Sequence, residues 1–126
     1  MSQAKKTIQQ LLTKIQNELN VPKNRINKFS NYEYRNLDDI LEAVKPLLAK
    51  YDVTLKLDDE IVSNGDRVYI KSTVTFEKNG QVITGSALAR EPESKKGMDL
   101  MQLTGTCSSY ARKYALAGLL LLDDSK

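Results

Sequence analysis

Histidine is absent from this chain, and cysteine occurs once, at Cys107. Without an imidazole, neither Ser108 nor Ser109 has the base that a serine nucleophile needs. A lone thiol forms no internal disulfide, which fits a reducing compartment and leads us to expect a cytoplasmic protein. Long apolar runs are missing as well. The longest, Ala115 to Leu122, is interrupted by a glycine and is less than half a membrane span. Residues 1–20 contain lysines but no uninterrupted apolar stretch and no small-residue cleavage site, so no signal peptide is expected. Nothing repeats, and no segment is of low complexity.

What is present suits a globular protein. With 126 residues, 40% of them hydrophobic and 28% charged, the chain is long enough for one domain with its own core and too short for two. Residues 1–126 are therefore read as one domain. The formal net charge is only +3, but it is unevenly spread. Residues 1–36 are strongly basic, residues 37–62 acidic, and positive charge returns in residues 63–98. Such asymmetry suits an anionic partner on one face, although solvated lysines are its commoner cause.

Hydrophobic spacing divides the chain into elements. Ile8, Leu11, Leu12, Ile15 and Leu19 recur at helical intervals, predicting a helix over Thr7–Leu19, capped by Ser2 or Thr7 and stopped by Pro22. Residues 23–35, KNRINKFSNYEYR, have no period and read as an ordered loop. There Lys23, Arg25, Lys28 and Arg35 interleave with Phe29, Tyr32 and Tyr34. A second helix starts at Asn36, a good N-cap, with Asp38 and Asp39 in the first turn, where carboxylates favour the helix dipole. Pro46 is expected to kink or divide it, since proline lacks an amide hydrogen and crowds the carbonyl of Glu42. From Val53 the period becomes two. VTLKLDDEIV, RVYIKSTVTFE and QVITGSALAR read as three strands, joined by connections that each contain Asn-Gly. The polar loop EPESKKG then leads to a last helix over Met98–Leu122. The expected fold is α+β: two N-terminal helices, a three-stranded antiparallel meander, and a C-terminal helix packed on the sheet in a β-β-β-α core.

The last helix joins unlike halves. Gly105, Ser108, Ser109 and Arg112 fall on one stripe of small polar residues ending in a cation, flanked by Lys113. Leu103, Cys107, Ala111, Tyr114, Ala115 and Leu119 fall on the other side. A Gly/Ser stripe admits another backbone closely, and hydroxyls and arginine are natural phosphate ligands. Tyr110, at the border, has a ring fit either to stack on a base or to pack on the sheet. Taken alone, tyrosines at helical spacing favour packing. For Arg112 and Lys113, phosphate binding and plain solvation both stay open.

The stretch SSYARKYALAGLLLL closely resembles the signature of the Erf (essential recombination function) superfamily of phage single-strand annealing proteins. YEYRNLDDILEAVKPLLAKYDVTL resembles the family's second block. The two blocks stand in the expected order, and the resemblance covers about residues 5–122. This chain has Asn36 where the family often has serine and Lys113 where arginine is common; lysine loses the bidentate phosphate geometry. Family members are often longer, with an acidic C-terminal tail that contacts a host single-strand-binding protein, whereas this chain stops at DDSK.

The resemblance implies a protein that coats single-stranded DNA and anneals it to a complementary strand. It would act as a homo-oligomer, ring or helical filament, without nucleotide hydrolysis, cofactor or metal, and so not as an enzyme. A host single-strand-binding protein or a phage exonuclease is the expected partner. By motif match Arg112, Lys113 and Arg35 are the candidate phosphate contacts, with Ser108 and Ser109 beside them. Charge and position add Lys28, Arg90, Lys95 and Lys96. Tyr110, and less directly Tyr32 or Tyr34, are candidate stacking platforms, at about 1–3 kcal/mol per base. The leucine-rich end should pack on the sheet, with surplus leucine meeting a neighbouring protomer. Three alternatives stay open: a general module for duplex RNA or DNA, a metal-dependent nuclease using Asp58, Asp59 and Glu60 or Asp123 and Asp124, and an assembly protein whose basic patches are only solvated surface.

Overall fold

Helix α1 (Ile8–Glu18) begins at Thr7, whose hydroxyl accepts from the Gln10 amide at 3.1 Å while the Gln10 side chain accepts from the Thr7 amide at 2.8 Å. This reciprocal box satisfies two amides that a helix start otherwise leaves open. Ile8, Leu11, Leu12 and Ile15 form its buried face. The computed structural model describes residues 6–29, 31–91 and 100–122. Residues 92–99, where the sequence leads one to expect a polar loop and the helix start at Met98, lie outside them.

Residues 23–35 are not a loop throughout. Strands β1 (Arg25–Asn27) and β2 (Tyr32–Tyr34) pair antiparallel, Arg25 opposite Tyr34 and Asn27 opposite Tyr32. The Asn27 carboxamide oxygen accepts from the Phe29 amide at 2.9 Å, and Asn31 turns back with φ 51°. Three pairs are too few to impose a period on the sequence, so this hairpin escapes pattern reading and corrects the expected element order.

Helix α2 (Leu37–Tyr51) has the expected cap. The Asn36 side chain accepts from the Asp39 amide and the Asp39 carboxylate accepts from the Asn36 amide, both at 2.9 Å. Arg25 clamps the same carboxylate in a fork, Nε at 2.9 Å and Nη2 at 3.1 Å, and so moors the hairpin to the start of α2. Of the two expected effects of Pro46, division is not seen: the helix runs on through it. Pro46 and Glu42 are exposed, so water can hydrate the carbonyl that proline leaves unbonded, while Val44, two residues from each and on the opposite side of the helix, is buried. Asp52 ends the helix in the left-handed region (φ 54°), and Lys78 Nζ donates to the carbonyls of Tyr51 and Asp52 at 3.3 and 2.8 Å.

The meander forms as expected. Strands β3 (Thr54–Asn64), β4 (Arg67–Lys78) and β5 (Gln81–Glu91) lie in the order β3-β4-β5, antiparallel throughout. Asn79 and Gly80 form the second turn with φ 52° and 83°, the left-handed pair that matches strand twist. In the first turn the two loop residues are Gly65 and Asp66, because Asn64 pairs with Arg67.

Helix α3 (Leu100–Leu120) crosses one face of this sheet. That face carries Leu55, Leu57, Asp59 and Ile61 of β3; Ile70, Ser72, Val74 and Phe76 of β4; and Ile83, Gly85, Ala87 and Ala89 of β5. Phe76, Val74, Leu116, Leu120, Ile15, Ile40 and Val44 make the main core, so α1 and α2 cover the flank of α3 that the sheet does not. Hence the leucine-rich end: Ala115, Leu116, Leu119 and Leu120 are all buried. A smaller cluster of Ile70, Cys107 and Ala111 continues the contact, with the Cys107 thiol donating to the Ala89 carbonyl. Gly85 lies against α3, where an added Cβ would stand 3.4 Å from the Leu119 Cβ and 3.6 Å from Val74 Cγ1, in contact but without overlap. The expected close approach at Gly105 is not made, since an added Cβ there meets nothing within 4 Å.

Candidate nucleic-acid interface

The polar stripe of α3 splits into two faces with different neighbours. Ser108 and Arg112, one turn apart, turn toward the sheet and meet Asp59 of β3. Arg112 Nε lies 3.2 Å from both carboxylate oxygens, the Ser108 hydroxyl donates to Oδ2, and the Ser72 hydroxyl donates to Oδ1 at 2.6 Å. Ser72 is 0% exposed and interrupts the apolar face of β4, so its hydroxyl needs this partner. Burial alone would raise the Asp59 pKa, but the hydrogen bonds from Ser108, Ser72 and Arg112 together hold the carboxyl below its ordinary value. The group is an anion clamped between sheet and helix.

The other face of α3 looks onto the β1–β2 hairpin and the start of α2. Two hollows follow one another along the helix. The first, about 200 Å³, involves Thr106, Ser109, Tyr110 and Lys113 of α3 and Tyr34, Asn36 and Leu37 opposite. The second, about 390 Å³, runs on past Tyr110 and Lys113 to Tyr114 and Ala117, with Lys23, Asn27, Tyr32 and Tyr34 across from them. Together they span Thr106 to Ala117, ~16 Å at the helical rise per residue. Tyr110 and Tyr114 stack with centroids 6.3 Å apart and planes at 21°, and Tyr32 and Tyr34 lie 5.9 Å apart, tilted by 55°. Tyr32, Tyr110 and Tyr114 are each about half exposed. The channel thus offers four phenol rings with Lys23, Lys113 and the Glu33 carboxylate among them. Lys113 also helps hold the Asp39 carboxyl below its ordinary pKa, behind the larger effects of the Arg25 fork and the Asn36 amide. A larger hollow of about 520 Å³, between the end of α1 and Leu121–Leu122, has no aromatic ring on its walls.

Of the ten residues expected from sequence, three on α3 stand on the channel: Ser109, Tyr110 and Lys113. Ser108 and Arg112 face Asp59 instead. Arg35 borders both hollows but is only 5% exposed, with Nε donating to the Val21 carbonyl at 2.9 Å. The guanidinium ties the α2 entry to the chain after α1. Lys28 is exposed on the hairpin turn, next to fully exposed Phe29. Arg90 is exposed opposite Tyr69 on the sheet face away from α3, so it is not brought together with the channel. Lys95 and Lys96 lie outside the described residues. Tyr114, read from spacing as buried, is exposed and joins Tyr110. Lys23 and Asp59 were also missed; the signal for Asp59 was a serine at an inward position of β4.

The family question turns on the two blocks that build this region: Tyr32–Leu55 supplies β2, α2 and their cap, and Ser108–Leu122 supplies the channel wall. The ERF superfamily model matches residues 8–126. The chain belongs to the ERF superfamily. It is 53% identical over 115 residues to the Essential recombination function protein of Salmonella phage P22, covering 91% of this chain and 55% of that protein. The chain thus spans about half the length of that relative. No solved structure matches this ERF chain. Among its described residues, no helix is long and apolar enough to cross a membrane.

Proposed function

We propose that this ERF chain is the single-strand-binding and annealing part of a phage recombination protein. The channel beside α3 carries the reading: a run of tyrosines with lysines among them, bordered by two separate elements of the fold. Stacking on tyrosine tolerates any base, and lysine neutralises phosphate without reading sequence, which is what pairing arbitrary complements requires. The name of the phage P22 relative supports the recombination role.

Annealing makes and breaks no covalent bond, so the proposed protein is not an enzyme and needs no cofactor. It works as a multimer, with exposed Leu121 and the uncovered Ile61 of edge strand β3 as apolar contacts between protomers. It acts inside the host cell beside a single-strand-binding protein or an exonuclease. A nuclease built on Asp58, Asp59 and Glu60 is disfavoured by strand alternation. Asp58 and Glu60 point to the open face of the sheet, near Lys56 and Lys71, while Asp59 points inward to Arg112. The other acidic pair, Asp123 and Asp124, lies outside the described residues.

The salt dependence of oligonucleotide binding tests the reading. Wild type should prefer single strands to duplex, and the Lys23→Ala/Lys113→Ala variant should lower the logarithmic salt slope by about 1.4, two phosphate contacts on a single strand. An unchanged slope would remove the channel as the DNA path. A preference for duplex would favour a general duplex-binding module.

A further inference from the structure

The smaller hollow differs from the channel it opens into. It is about 200 Å³, below the usual range for a drug-sized ligand and suited to a single flat ring system. Tyr34 and Tyr110 bring aromatic walls, Leu37 an apolar one, and Thr106 and Ser109 hydroxyls from successive turns of one helix face. Lys113 lies one turn beyond Ser109, where the hollow joins the larger groove. The lining thus brings together a cation, two aromatic rings, two hydroxyls and an apolar wall, with Arg35 and Asn36 beside them. These are groups that suit a nucleotide: flat walls for its base, hydroxyls for the base edge and a cation for its phosphate.

We infer that this hollow is a seat for one nucleobase of a bound single strand, turned out of the strand's own stack, with Lys113 on the adjoining phosphate. The inference rests on the proposal that the channel beside α3 is the DNA path. A hydroxyl both donates and accepts, so Thr106 and Ser109 meet the edge of any of the four bases. The seat is therefore sequence-neutral, as annealing demands. A seated base is withheld from pairing until it leaves, so each protomer holds one position of the strand out of register while neighbouring bases on the tyrosines sample the complement.

The test compares two oligonucleotides of equal length, one of thymidines and one whose backbone carries no bases, binding to the full chain. Wild type should bind the base-bearing strand more tightly, by about tenfold, within the range of one stacked base. Ser109→Leu, which fills the hollow from an exposed helical position, should lose most of that preference while keeping its affinity for the abasic strand. Thr106→Leu fills it from the turn before and serves as a second, independent variant. Equal affinity of wild type for the two strands would overturn the seat and, with it, base stacking on the channel tyrosines, leaving only the phosphate contacts of the channel. A preference that survives both substitutions would also overturn it, assigning the base contacts to the tyrosine groove alone. Binding of neither strand would overturn the channel reading and the seat with it.

Discussion

Asp59 decides which way Arg112 of α3 faces. A carboxylate on the inner side of an edge strand, receiving hydroxyls from Ser72 and Ser108 and the Arg112 guanidinium, fixes that turn of helix to the sheet. The Ser108 hydroxyl and the Arg112 Nε are thereby tied to the sheet, while Ser109 and Lys113 line the channel. Asp59→Ala should cost about 1–3 kcal/mol in chemical denaturation, because the buried Ser72 hydroxyl loses its acceptor. The pH dependence has a definite sign. The folded-state pKa of Asp59 lies below the ordinary value of 3.8, so its contribution is complete above that value and is lost as pH falls through the lower folded value. Asp59→Asn should therefore be less stable than wild type at neutral pH and should lose less on acidification, with the two curves converging at low pH. Parallel curves would mean that Asp59 does not carry the acid sensitivity. Little of this was legible in the sequence. Asp58, Asp59 and Glu60 look alike along the chain, and only the register of β3 on β4 separates them.

At the scale of elements, legibility followed length. Helices α1 and α2 and the three long strands each repeat their pattern enough times to announce themselves, and both helix caps are written in side chains next to the start. The β1–β2 hairpin has three residues per strand and draws its order from elsewhere, chiefly the Arg25 fork on Asp39. Tyr114 was misassigned because spacing alone does not say which flank of α3 faces the sheet and which faces the hairpin. Gly85 lies where β5 packs against α3, and it carries no signature beyond being a glycine in a strand. Gly85→Val should push α3 away from β5 and lower stability by about 1–3 kcal/mol, read as a fall in the thermal midpoint. A neutral result would show that α3 is not seated on β5 as described.

The whole molecule is a one-sided sheet. Helices cover one face, and the other carries Thr73, Thr75, Thr84, Ser86 and Arg90 toward solvent. The channel lies on the helical side, beyond α3, where the two family blocks meet across space. The basic N-terminal segment and the final helix, distant in sequence, supply its two walls. The composition made this asymmetry visible only as an uneven charge; the pairing of Lys23 and Tyr32 with Tyr110 and Lys113 needed the fold. Arg90, on the far face, serves as an internal control. The most direct test of the account is the annealing rate of two complementary labelled oligonucleotides, at low and moderate salt, with wild type, Tyr110→Ala/Lys113→Ala and Arg90→Ala. The account predicts salt-sensitive acceleration by wild type, retained by Arg90→Ala and reduced about tenfold or more by the channel variant, which removes one stacking ring and one phosphate contact. No acceleration by wild type, or an equal loss from Arg90→Ala, would contradict it.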